Sequence, residues 1–508
     1  MLRLRNQKLL FSNETYHMDA NSIPAELVKD LKDSKVTESP LSPGLTLHTL
    51  LAETTRLTKV KSNQRRQVFY LQTSTGQYFL KISKLVRKKD RTRHRLFPMR
   101  RWAEWQNLHR LRAKNVAAAT PVLKGGKKGE FFFLVTEQVL GSQPACQSTE
   151  EAHALGTYVK DIHDKGIYHA DLHPGNIILR KSREPWLIDT QEVFFLPCLP
   201  HWVRAYNLGR LFYHLSGSKT VDHWIEAFLF AYNRGLRKPI TGAEVARCCE
   251  YHRQRRYRSR TKRCCKNSSE FEIVKEQGGR GYKRRDFSWK PQKIQEALDR
   301  GEWIKQDRVL RYGDLCIKVH TNRFFHKDRC LKAWKMSRAL EVRNIPVPKA
   351  LAYLRMAGKS YFISEFLDGI GLNPYIFASL DEQSKRQKLK ELAQWLVRIH
   401  NSCVFQRDLK SNNLLYANSR FVLLGLGSVE IPRHVSEKKR IMNLAQLNAS
   451  LSDAITLKDR LRFYQHYSTW NTASRKQRRT IYSKVMELTA AKHTRPFGLN
   501  KSRLLCRL

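Results

Sequence analysis

The sequence predicts an α+β chain made of two tandem copies of one unit, each a small antiparallel sheet followed by a mainly helical part. Three observations lead there. The 508 residues are enough for two to four domains. A hydrophobic content of 41% supports real cores rather than general disorder. Six landmarks recur in the same order about 237 residues apart.

The first landmark is a strand, turn and strand. QVFYLQTSTGQYFLKIS (67–83) alternates with period two, turns at Ser74-Thr75-Gly76 and continues to Lys81. RVLRYGDLCIKVH (308–320) does the same around Tyr312-Gly313-Asp314 and reaches Lys318. A helical segment follows in each copy, RRWAEWQNLHRLRAKNV and CLKAWKMSRALEVRNI. Proline-bearing strand starts come next, at Pro121 and at Pro346 and Pro348. The apolar runs FFFLVTE and SYFISEF end on Glu137 and Glu365. A helix closing on Ile-His (Ile162-His163, Ile399-His400) then leads into DKGIYHADLHPGNIIL or NSCVFQRDLKSNNLL. Last come the apolar strands WLIDTQEVFF and FVLLGLGSVEI. These landmarks set a leader over 1–44, with SPLSPG (Ser39–Gly44) as a linker, a first domain over 45–290 and a second over 295–508.

Composition narrows the partners. With 94 Lys and Arg against 45 Asp and Glu, the formal charge is 94 − 45 = +49. A charge that large implies a polyanion: nucleic acid, an anionic membrane face or a phosphorylated substrate. The N-terminal stretch has no apolar core of signal-peptide type, and no apolar window is long enough to span a bilayer. The ten cysteines are then expected as reduced thiols in the cytoplasm. The vicinal pairs Cys248-Cys249 and Cys264-Cys265 lack the usual zinc spacing, since adjacent thiolates rarely reach one tetrahedral ion.

The first copy holds the parts that phosphoryl transfer from a nucleotide needs, in the order of a protein-kinase-like fold: a small sheet lobe, then a helical lobe. Lys81, at a strand end, is the cation for the phosphates, and Glu104 on the next helix is its partner. Glu137, closing the following strand, joins them in the cofactor-binding set. In HADLHPGN, Asp171 and Asn176 stand five apart, so one can face the acceptor hydroxyl and the other a metal ion. Asp189, thirteen beyond Asn176 at the end of an apolar strand, is the second Mg²⁺ ligand. His169 belongs with Asp171 as a brace for the catalytic loop. The expected glycine-rich loop is missing: residues 55–75 contain no glycine. The phosphates must then be covered by a hairpin using side chains, to which TKVKSNQRR can contribute.

These motifs resemble the lipopolysaccharide kinase (Kdo/WaaP) family. YFLKISK is similar to its lysine strand, EWQNLHRLRAKNV to its EWxxxxRLRxxGV helix, and HADLHPGNIIL and LIDTQEV to its catalytic and metal-binding segments. LPHWVRAYNLGRLFYHLS resembles the stretch that follows the metal aspartate. The resemblance covers residues 65–217, with a weaker match over 305–445. It implies ATP with Mg²⁺ as donor and a heptose or Kdo hydroxyl as acceptor. The partner would be lipopolysaccharide core or its lipid-linked precursor, met at the cytoplasmic face of a Gram-negative inner membrane. A kinase-fold enzyme acting on a protein or another small molecule, and a non-catalytic basic scaffold, stay open beside it.

The second copy keeps Lys318, Asp408 and Asn413. Alignment on the tryptophans puts Ala333 where Glu104 stands, alignment on the valines puts Gly425 where Asp189 stands, and Gln406 replaces His169. Without the metal carboxylate it is expected to be a pseudokinase or much the slower site. Two basic runs, 84–101 and 247–266, fit an anionic lipid surface better than nucleic acid, because few aromatic side chains lie among them for base stacking.

Overall fold

The computed structural model describes residues 17–19, 46–62, 66–86, 92, 102–127, 130–213, 215, 219–276, 279–288, 293–322, 327–377, 381–452, 455–468 and 474–493. Most of the first basic run and of the expected leader, with its SPLSPG linker, lies outside them. The chain divides into two compact units, Met1–Gln254 and Arg255–Leu508.

In the first unit, strands β1 (His17–Asp19), β2 (Thr54–Ser62), β3 (Arg66–Thr73), β4 (Gln77–Lys84), β5 (Pro121–Lys127) and β6 (Phe131–Glu137) form one sheet in the order β1-β2-β3-β4-β6-β5. All its pairings are antiparallel. The period-two pattern turns Phe69, Leu71, Leu80, Ile82, Phe133 and Val135 into a common core. A short helix α1 (Leu47–Ala52) adds Leu47 and Leu50 to it. Helix α2 (Ala103–Ala113) joins β4 to β5 and buries Trp105, Leu108 and Leu111.

The helical part starts at α3 (Thr149–Asp164), where Ser148 accepts a bond from Glu151 N–H as N-cap. Leu155, Val159 and Ile162 line one face of α3 and join the core that holds Phe228 and Tyr232 of α5 (Lys219–Tyr232). Gly156 lets the two helices meet: a Cβ there would lie 2.5 Å from the Phe228 carbonyl oxygen. Short strands β7 (Ile167–His169), β8 (Ile177–Leu179), β9 (Pro185–Leu187) and β10 (Val193–Phe195) form two hairpin-like pairs, β7 with β10 and β8 with β9. Helix α4 (His201–Phe212) follows. The second basic run is mostly helical, within α6 (Gly242–Thr261) and the turn Lys262–Cys265.

The second unit repeats this plan. Its sheet contains β11 (Phe271–Glu276), β12 (Gly279–Arg284), β13 (Glu302–Lys305), β14 (Val309–Tyr312), β15 (Leu315–Thr321), β16 (Ala350–Met356) and β17 (Lys359–Glu365), in the order β11-β12-β16-β17-β15-β14-β13. Helix α7 (Lys293–Arg300) precedes β13, and α8 (Arg329–Glu341), capped by Asp328, occupies the place of α2. The short strand β18 (Ile370–Gly371) leads into α9 (Leu372–Phe377) and α10 (Glu382–Asn401), and the short strands β19 (Phe405–Gln406), β20 (Leu414–Ala417), β21 (Arg420–Leu423) and β22 (Val429–Glu430) follow. Helices α11 (Glu437–Ser450), α12 (Leu457–Ser468) and α13 (Arg475–His493) complete it.

The division falls earlier than the sequence boundary at 290–295. Strands β11 and β12 extend the second sheet, with Tyr282 opposite Tyr353. Gly281 makes the approach feasible, since a Cβ would sit 2.0 Å from the Tyr353 carbonyl oxygen. The basic segment GRGYKR shows little alternation, so its strand is specified by that pairing rather than by local pattern.

Candidate active site

Register sets the lysine. Lys81 stands opposite Val68 on β3 and Leu134 on β6, in the middle of the sheet. Its ammonium lies 2.5 Å from Glu104 Oε1 in the first turn of α2. Both side chains are mostly covered, so this pair is screened less than an exposed one. Arg66 opens β3 on the same sheet face, opposite Ser83. Its Nη2 lies 3.8 Å from Glu104 Oε2 and 3.5 Å from Asp189 Oδ1. Arg66, Lys81, Ser83, Trp102, Glu104 and Trp105 line a shallow cleft.

Asp189 follows β9 with φ +57°, in the left-handed region. Burial alone would raise its pKa, but Lys81 and Arg66 outweigh that and hold the carboxyl below its ordinary value. The segment after it is pinned from α2: Asn107 Nδ2 donates to the carbonyls of Thr190 at 2.8 Å and Val193 at 3.0 Å. Ile188 N–H bonds the Asn176 carbonyl at 2.9 Å, which sets Asp189 beside the catalytic loop.

That loop runs from β7 through a single 3₁₀ turn, Pro174–Asn176, into β8. Asn176 Nδ2 donates to the Asp171 carbonyl at 3.0 Å. Asp171 is half-exposed, its Oδ1 ion-paired with Arg210 of α4. His169 is fully buried; its Nδ1 accepts from Asp171 N–H at 3.2 Å, and burial pushes its pKa down to about 4. The imidazole is thus buried, held neutral and bonded to the loop backbone. Beneath it, Asn207 donates to the His169 carbonyl at 2.8 Å and stands 3.1 Å from His163 Nε2, while His163 Nδ1 lies 2.7 Å from the Tyr232 hydroxyl.

The structure thus brings Lys81, Glu104 and Asp189 into one ion-pair cluster and ties Asp171, Asn176 and His169 into one loop. Glu137 stays outside: it is exposed at the end of β6, and its side chain has no ion pair among the described residues. Arg66 and Arg210 were not singled out from sequence. Arg66 lay within the basic hairpin stretch and Arg210 within the segment after the metal aspartate, but neither stretch marks one arginine among several.

The second unit reproduces the scaffold without the charges. His400 lies 2.7 Å from the Tyr467 hydroxyl and 3.1 Å from Asn443, and Asn443 donates to the Gln406 carbonyl at 2.6 Å. Asn413 Nδ2 donates to the Asp408 carbonyl at 2.8 Å. Gly425 has φ +64°, the conformation of Asp189. A Cβ on Gly425 would lie 3.0 Å from Asn413 Oδ1, so this backbone position faces the loop asparagine. Ala333 is buried where Glu104 stands, and Lys318 has no ion pair among the described residues; burial lowers its pKa. Gln446, in the place of Arg210, bonds the loop backbone at Arg407 and Leu409 instead of the aspartate.

Residues 52–232 match the lipopolysaccharide kinase (Kdo/WaaP) family. All the ion-paired residues of the first site fall within that segment, which is similar to kinase-type phosphotransferases of this family. No curated protein matches the chain. Among solved structures, WaaP in complex with acyl carrier protein is 16% identical over 44% of this chain and 86% of its own, with TM-score 0.29. An aminoglycoside-3'-phosphotransferase of type VIII is 18% identical over 36% of this chain and 86% of its own, also at 0.29. Spectinomycin phosphotransferase in complex with ADP and spectinomycin is 10% identical over 42% and 86%, again at 0.29. No helix among the described residues is long and apolar enough to cross a membrane.

Proposed function

We propose that the first unit transfers a phosphoryl group from ATP to a heptose or Kdo hydroxyl in the inner core of lipopolysaccharide. The observation that carries this reading is the ion-pair cluster of Lys81, Glu104, Arg66 and Asp189, joined to the Asp171–Asn176 loop by the Ile188–Asn176 backbone bond, inside the Kdo/WaaP-matching segment. Lys81, aligned by Glu104, binds the α- and β-phosphates. Asp171 orients the acceptor hydroxyl and takes its proton. His169 holds the loop in shape and stays neutral.

The donor set suits Mg²⁺. Asp189 offers carboxylate oxygens and Asn176 an amide oxygen, its nitrogen being committed to the Asp171 carbonyl. Among the described residues no group of three His, Cys, Asp or Glu could hold a metal by itself. Mg²⁺ takes one or two protein oxygens and completes its shell with phosphate and water. When bound, Mg²⁺ neutralises charge on the transferring phosphates. The chain's own task is to hold Asn176 and Asp189 at adjacent backbone positions.

The second unit, lacking counterparts of Glu104 and Asp189, is read as a pseudokinase or much the slower site. The charge of +49, together with exposed Phe194, Leu196 and Trp202 after the metal segment, supports peripheral association with an anionic membrane that presents the lipid-linked acceptor. The deciding experiment is phosphate analysis of core sugars from a strain lacking the protein, complemented with wild type, Asp171→Ala or Asp408→Ala. Wild type and Asp408→Ala should restore the phosphate and Asp171→Ala should not. Unchanged phosphate in the deletion strain removes the lipopolysaccharide reading. Rescue by Asp171→Ala alone reverses the assignment of the two units.

A further inference from the structure

We propose that Arg66 is the clamp on the donor's phosphates, a side chain doing what the backbone amides of a glycine-rich turn do elsewhere. The inference rests on the kinase reading and adds to it the residue that grips the triphosphate.

The hairpin β2–β3 immediately precedes the lysine strand, the place from which such a turn covers a nucleotide. No glycine is available in residues 55–75 for the close backbone approach that such a turn needs. Arg66 stands at the hairpin end of β3. The register, with Arg66 opposite Ser83 and Val68 opposite Lys81, puts its side chain on the cleft face with the lysine. Its Nη2 sits between Glu104 and Asp189, the partner of the phosphate-binding lysine and the metal carboxylate. A cation at that point is placed for the oxygens that Lys81 and a metal ion would share.

The chemistry of the side chain agrees. A guanidinium is planar and always charged, and its paired N–H groups match phosphate oxygens two at a time. The carboxylate contacts it makes here are long and partly exposed, so giving up the Asp189 contact for phosphate costs little.

The second unit supplies an internal comparison. Val309 stands opposite Lys318 as Val68 stands opposite Lys81, so the position two residues earlier is Asp307. That residue lies in the turn before β14, at φ +56°, so the second unit offers no strand position for an arginine beside its lysine, and the same unit has Ala333 for Glu104 and Gly425 for Asp189. The buried His, Asn and Tyr scaffold is retained at the same time. The arginine and the ion-pair cluster are thus absent together from the second unit, where β14 begins only at Val309.

The test is calorimetric titration of the full chain with MgATP and, separately, with adenosine. Arg66→Gln should weaken MgATP binding tenfold or more and leave adenosine binding unchanged. Lys59→Gln removes the same charge from an exposed position on β2 and should change MgATP affinity less than twofold. Should Arg66→Gln not fold, Arg66→Lys keeps the charge without the fork, and a loss of threefold or more for MgATP alone is expected. Wild-type affinity for MgATP in the folded Arg66 variant, or an equal loss for adenosine, overturns the clamp while leaving the kinase reading intact. Absence of MgATP binding by the wild-type chain overturns both.

Discussion

Replacing Asp189 by glycine separates the chemistry of the first unit from its fold, because it installs the residue that the second unit already tolerates. The backbone at Asp189 is left-handed, with φ +57°. That conformation costs an ordinary L-residue about 1–2 kcal/mol and aspartate somewhat less, so glycine relieves part of it. Glycine also loosens the unfolded chain, which costs about 0.5–1 kcal/mol. The lost ion pair with Arg66 is long and partly exposed, and contributes about 0–1 kcal/mol. These contributions nearly cancel, so stability should stay within about 1 kcal/mol, a melting shift of about 2–4 °C for a unit of this size. Catalysis should respond very differently. Loss of the metal carboxylate removes about 4 kcal/mol of charge stabilisation, or about 10³-fold in rate. The assay is ATP turnover with core oligosaccharide at saturating Mg²⁺, beside a thermal melt. Activity within tenfold of wild type would show that Asp189 does not hold the metal ion. A melting temperature lowered by more than about 10 °C would show that its role is structural.

Three further outcomes follow from the same geometry. Lys81→Ala should lower kcat/KM for ATP about 10²-fold or more, and Glu104→Gln should act in the same direction but less, since it leaves the ammonium present but unaligned; steady-state kinetics over ATP concentration measure both. Arg210→Gln, which copies Gln446 of the second unit, should leave MgATP binding unchanged and reduce kcat about tenfold, because the guanidinium touches the Asp171 carboxylate and not the lysine cluster; equal effects on binding and turnover would count against that. Stability should fall on acidification in both units. Burial pushes His163 down to about 4 and His400 to about 3, below the unfolded value near 6.5. Each therefore binds fewer protons folded than unfolded, so the stability it contributes is full above about pH 6.5 and is lost as pH drops towards the folded value. At pH 5 the loss is about 2 kcal/mol per histidine, readable as a shift in denaturant midpoint between pH 7 and pH 5.

Much of the arrangement was legible because the repeat marks it. Ile162-His163 and Ile399-His400 could be read as recurring landmarks, and Lys81, Asp171, Asn176 and Asp189 from their spacing. The reason the histidines recur was not legible. Their partners Asn207 and Tyr232 lie 44 and 69 residues downstream, on α4 and α5, and only the packing of those helices with α3 brings them together. Arg66 was hidden for a different reason: TKVKSNQRR holds four cations, and the strand register, not composition, decides which one faces the cleft. Strands β11 and β12 were missed because their residues lack alternation and take their conformation from β16. Glu137 was read into the site from its place at a strand end, and the fold leaves it exposed.

The pattern of what the two units share follows from the cost of each change. Removing one member of a buried set such as His400–Asn443–Tyr467 leaves an unpaired polar group away from water, at about 1–3 kcal/mol for each group. Such sets stay intact in both units at nearly the same distances. Removing a half-exposed carboxylate at a left-handed position costs the fold almost nothing, and Gly425 occupies that position without strain. The ion-pair cluster can therefore be absent from a unit at little cost to its fold, whereas each loss from the scaffold would lower its stability. The reciprocal change makes this testable. Gly425→Asp should fold, because aspartate adopts the required φ and its Cβ meets only side-chain ends, Asn413 Oδ1 at 3.0 Å and Gln406 Nε2 at 3.3 Å. It should not create turnover in the second unit, because Ala333 still leaves Lys318 without its carboxylate and Gln446 still stands in place of Arg210. Measurable transfer by Gly425→Asp in an Asp171→Ala background would mean that the metal carboxylate alone separates the two sites.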